Sequence, residues 1–153
     1  MYQFDKQALH KATQDMSMAD AIELITNFLM SPKGYCITEE ETNPVLAKFV
    51  ASGKTAIDEE YGDKYLLNDE GIATLLPYIE LMSCEFISFM IKHGKKCSKQ
   101  EGATWFWQTY QLPDLETGVD ILIYIAAKLY KYGYPCKEFH SKKTPEGYTI
   151  EES

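Results

Sequence analysis

The chain is 153 residues long, 45% apolar and 25% charged. That is enough to form one soluble domain burying about 68–70% of its unfolded surface, and too apolar for a disordered segment. Its 15 basic residues are all lysines, set against 23 Asp and Glu for a net charge of −8. An acidic chain with no arginine lacks the planar fork that phosphates favour, so the composition argues against nucleic acid as a partner.

The start, MYQFDKQALHK, has no apolar leader core, and the longest strongly apolar run, 121–127, is far short of the roughly 18 residues of a membrane span. A cytoplasmic protein with no membrane partner is expected. In that setting the four cysteines read as reduced thiols rather than a disulfide framework.

Residues 1–16 are mixed and polar, enough for one short helix. Ser17 is placed to cap a helix in which Met18, Ala21, Ile22, Ile25, Phe28 and Leu29 recur at helical spacing, until Pro32-Lys33-Gly34 breaks the pattern. A second helix starts either from the Thr38/Glu41 capping box or from Asn43 with Pro44 in the first turn. It buries Val45, Leu46, Phe49 and Val50 and stops at Gly53. Residues 54–63 fit a short third helix, and Lys64-Tyr65-Leu66-Leu67 a brief strand.

From Ile72 an apolar stripe runs through Leu75, Ile79, Met82, Phe86 and Met90 to His93-Gly94, with Pro77 expected to kink the helix or mark its first turn. Ser98 and Glu101 make another capping box, opening a helix around Trp105, Phe106, Trp107 and Tyr110. Asp114 caps a helix over roughly 115–131, apolar on most sides and therefore expected to be central. From Ser141 onward, Thr144-Pro145-Glu146-Gly147 suggests a turn and a flexible tail over 141–153. The expected fold is mainly α: a single compact domain, residues 1–153, of five to six helices with a short β element.

The order of helix, helix, short helix and then KYLLNDEGIATLL over about residues 18–80 resembles a winged helix, in which a wing strand leads through a glycine-ended turn into the next helix. That resemblance implies a winged-helix-like N-terminal half whose second and third helices and wing would meet DNA. In this chain those elements hold the acid. Residues 1–71 carry 13 acidic residues and 6 lysines, against 10 and 9 in residues 72–153, so DNA binding is not expected to carry over. The runs Glu39-Glu40-Glu41 and Asp58-Glu59-Glu60 with Asp63 read either as solvated helix starts or as a face for a basic partner.

HGKKC (93–97) and CKEFH (136–140) each pair a histidine and a cysteine four positions apart. His93, Cys97, Cys136 and His140 therefore make a candidate Cys2His2 zinc set, the alternative being thiols and surface histidines that bind no cofactor. Ser52-Gly53-Lys54-Thr55 ends like a phosphate loop, but the glycine needed five positions earlier is Lys48. Asp58 to Asp63 lacks the ligand alternation of an EF-hand. No catalytic motif is present: there is no G-x-S-x-G elbow, and Cys36 has no recognisable partner signature. In the Trp105-Phe106-Trp107 cluster all three rings cannot face inward on one helix, which leaves Trp107 as a candidate contact.

These readings converge on a small acidic non-enzymatic protein that binds and modulates another protein, as an inhibitor, immunity protein or adaptor. Glu39, Glu40, Glu41, Asp58, Glu59, Glu60, Asp63 and Trp107 are its expected contacts. A homodimer and a winged-helix-like transcriptional regulator, touching DNA through Lys92, Lys95, Lys96 and Lys99, stay as alternatives.

Overall fold

The computed structural model describes residues 5–30, 34–130 and 138–152. In chain order they form α1 (Lys6–Ala12), α2 (Met18–Ile25), β1 (Tyr35–Cys36), α3 (Pro44–Ala51), β2 (Thr55–Ile57), β3 (Lys64–Leu67) and α4 (Asp69–Lys92). These are followed by β4 (Lys96–Ser98), α5 (Lys99–Tyr110), α6 (Leu115–Leu129), β5 (Phe139–Lys143) and β6 (Gly147–Glu152). The protein is mainly α, with six α-helices and two small antiparallel sheets among the described residues. Where composition suggests one domain, the chain divides into two compact units, one of residues 12–78 and one of residues 1–11 with 79–153.

In the 12–78 unit, Ser17 caps α2 by accepting from the Asp20 N–H at 3.1 Å, and Ala21, Ile22, Leu24 and Ile25 are buried. Residues 26–30 continue as one wider π turn. Asn43 is the cap of α3, its Oδ1 accepting from the amides of Val45 and Leu46 at 3.1 Å each. Residues 37–41 form instead a tight 3₁₀ turn. Phe28 joins the two helices and the sheet: its ring meets Tyr35 edge-on at 4.9 Å and Phe49 at 6.3 Å.

The sheet has the order β1-β3-β2, with Tyr35 opposite Tyr65 and Thr55 opposite Leu67. The short helix expected over 54–63 is absent; residues 55–57 are strand β2. Thr55 and Ile57 are β-branched residues suited to a cross-strand ladder with 65–67, and Gly62, at φ +68°, turns the chain between the strands. Gly34 (φ +69°) has no room for a side chain, because its α-carbon lies against the Tyr65 carbonyl.

Asn68 opens α4 by accepting from the Gly71 N–H at 2.8 Å. The helix then runs through Pro77 to Lys92, with Leu75, Tyr78, Ile79 and Met82 buried. It is long and apolar enough to cross a membrane by length and composition, yet half of its most apolar window is buried within the protein, as in the core helix of a globular fold.

In the other unit the Ser98/Glu101 capping box is reciprocal, at 3.0 and 2.9 Å, and Asp114 caps α6 through the Thr117 N–H at 2.8 Å. Helices α5 and α6 pack at backbone range, the α-carbon of Gly118 lying against the Ala103 carbonyl. Phe106 is fully buried and its ring lies 5.3 Å from that of Phe86.

Lys142–Lys143 end strand β5 and Gly147–Glu152 form β6, where the turn residues Thr144 to Gly147 suggest a flexible tail. Strands β5 and β6 form a hairpin with β6 central in the order β4-β6-β5. Alternating burial of Phe139 and Ser141, and of Tyr148 and Ile150, gives the hairpin one buried face.

Candidate functional site

In the 12–78 unit, strand pairing brings the two acidic runs to one sheet edge. The 3₁₀ turn carrying Glu39, Glu40 and Glu41 follows β1, the loop carrying Asp58, Glu59, Glu60 and Asp63 precedes β3, and β1 pairs with β3. The Ile37 N–H donates to the Asp63 carbonyl at 3.0 Å, closing the junction.

Three of these carboxylates support the local fold. Glu39 accepts from the Cys36 N–H at 2.7 Å, Asp58 from the Glu60 N–H at 3.0 Å, and Glu40 from the Tyr65 hydroxyl. The Glu40 hydrogen bond is the first cause raising the Tyr65 phenol above its ordinary pKa, followed by burial and by the carboxylate's charge. Glu41, Glu59, Glu60 and Asp63 are exposed, and none of their carboxylates is held by a hydrogen bond or ion pair among the described residues. Apolar groups share this region: Tyr61 is 74% exposed and Ile57 53%, whereas Leu66, opposite Ala56, faces the other side of the sheet from Ile57. An acidic rim beside exposed apolar side chains is the make-up of a protein-docking face. Trp107, the other expected contact, is 37% exposed on α5 and belongs to the second unit.

Of the candidate zinc ligands among the described residues, Cys97 and His140 do not converge. Cys97 on β4 lies opposite Tyr148 on β6, whereas His140 on β5 lies opposite Glu151. Positions 148 and 151 differ by an odd number, so Cys97 and His140 point to opposite faces of the sheet. Burial pushes the Cys97 thiol up to about 11, with the charge of Glu101 adding to the effect, away from the thiolate that zinc needs. His93 spends its ring nitrogens on the Lys96 carbonyl at 3.0 Å and Glu101 at 3.1 Å, and His140 sits 3.6 Å from Glu151. Cys136 lies outside the described residues. Among those described, no group of three or more His, Cys, Asp or Glu side chains could hold a metal ion.

The second unit contains a feature that sequence reasoning missed, a cleft of about 740 Å³ between α1, α4 and α5. Lys6, Gln7 and His10 give it a polar wall on α1, while Leu81, Phe89 and Trp105 give it an apolar floor. Glu85 is the one charged residue between Glu80 and Lys92. That lone carboxylate in an apolar stripe is the signal that could have marked the site. Burial raises the Glu85 pKa, while the neighbouring Tyr110 hydroxyl and the charge of Lys6 act to lower it.

No protein-family model, curated protein or solved structure matches this chain.

Proposed function

We propose that this is a small protein-binding protein of the inhibitor, immunity or adaptor type, whose acidic sheet edge meets a basic protein partner. The observation that carries this reading is the pairing of β1 with β3, which gathers the 39–41 and 58–63 carboxylates beside the exposed Ile57 and Tyr61. Carboxylates of one sign steer and orient a basic surface, and the apolar side chains supply area to bury on contact.

We read the 12–78 unit as winged-helix-like. Support comes from the order helix, strand, short helix, helix, strand, strand and from the central position of β3 in the sheet. The parts of such a unit that would approach DNA are here α3, with Lys48 as its one charged residue, and the acidic turn between β2 and β3. That charge pattern favours a protein over a duplex.

A second reading, a transcriptional regulator, draws on the exposed Lys92, Lys95, Lys96 and Lys99 of the other unit. The two readings separate in one experiment. A photo-crosslinking side chain at Tyr61 in the full chain, activated in the source cell, should capture a discrete basic protein. The same position in a Glu59→Lys, Glu60→Lys, Asp63→Lys variant should lose it. Duplex binding at low salt with a steep salt dependence would support the regulator instead.

A further inference from the structure

We infer that the cleft between α1, α4 and α5 is a binding site for a small aromatic anion, a flat ring system bearing a carboxylate or similar acidic group. A cleft of about 740 Å³ falls in the range of small-molecule pockets, which pair an apolar lining with a few placed polar groups. Its residues follow helical faces: 81, 85, 88, 89 and 92 on α4, 105 and 109 on α5, and 6, 7 and 10 on α1. The cleft therefore has two sides of different chemistry. Phe89 and Trp105, which stack on one another at 5.0 Å with their planes 19° apart, both line the cleft and give it an aromatic wall against which a ring can pack.

The charge of the lining sets the sign of the ligand. Glu85 is its one carboxylate, and the charge of Lys6 already acts on it. Lys92 and His10 are the other titratable lining groups, with Ser88, Thr109 and Gln7 as hydrogen-bonding partners. In a chain of net charge −8, a cleft whose side chains lean to the basic side selects against cations and for an acidic group at the Lys92 end.

The test uses the full chain with Trp107→Phe, leaving Trp105 as the single tryptophan, titrated with naphthalene-2-carboxylate and with the uncharged naphthalene-2-methanol. The expected result is saturable one-to-one quenching of Trp105 by the carboxylate, with the alcohol about ten-fold weaker or worse. Adding Lys92→Gln, an exposed position whose variant should keep the parent circular dichroism, should weaken the carboxylate about ten-fold and leave the alcohol unchanged, the loss of one charge-assisted contact. No saturation by the carboxylate, or equal affinity for acid and alcohol, would overturn the assignment. So would saturation by an amphipathic Leu/Lys peptide alone, which would give the cleft to a protein segment.

Discussion

Ile37 donates its backbone N–H to the carbonyl of Asp63 across 3.0 Å, and this single hydrogen bond joins two acidic segments separated by more than a dozen residues of sequence. Because the β1–β3 ladder continues the same junction through Cys36 and Lys64, the acidic edge is held by backbone pairing and by Glu39, Glu40 and Asp58, not by the outward Glu59, Glu60 and Asp63. Substituting the outward carboxylates therefore changes charge with little effect on the fold.

Glu40 sets the titration of Tyr65. Their hydrogen bond is the leading cause of the raised phenol pKa, so Glu40→Gln, which removes the charge and keeps an acceptor, should lower it. An NMR titration with ring-labelled tyrosine reads this directly; an unchanged Tyr65 midpoint would mean that burial, not Glu40, governs it.

Asp114 makes stability depend on acid. Its carboxylate accepts from the Thr117 N–H and hydroxyl at 2.8 Å each, which lowers its pKa below the ordinary value. A group with a depressed folded pKa contributes stability above the unfolded pKa of about 4 and loses it as the pH falls through the folded value. Thermal unfolding of the wild type and Asp114→Asn should therefore differ most near neutrality and converge once the pH falls below the folded pKa of Asp114.

Phe106 anchors the second unit. It is fully buried, with rings of Phe86, Trp105 and Tyr110 within 4.8 to 6.0 Å. Phe106→Ala should cost about 3–5 kcal/mol, measured by denaturant unfolding, whereas Trp107→Phe on the exposed side of the same helix should stay within about 0.5 kcal/mol.

The caps and stripes that rest on local chemistry were legible. Ser17, Ser98 and Asp114 each cap the helix their sequence announces, and Lys64–Leu67 is the strand its β-prone residues suggest. What was not legible depends on partners far away in the chain. Residues 55–57 become a strand only because 65–67 lie beside them, and 139–152 become a hairpin because β4 supplies an edge for β6. The even-looking spacing of HGKKC and CKEFH says nothing about the sheet register that turns Cys97 and His140 apart. In the same way, Lys6, His10, Glu85 and Trp105 come from three segments, and only the packing of α1, α4 and α5 makes them one cleft.

Docking of a basic protein on the acidic edge depends on Glu59, Glu60 and Asp63 keeping their charge. Its most direct test is quantitative crosslinking from position 61 in the source cell, comparing the native edge with the Glu59→Lys, Glu60→Lys, Asp63→Lys variant at matched expression. The native edge should give one basic partner in stoichiometric yield, and the reversed edge at least ten-fold less. An equal yield from both would contradict that dependence.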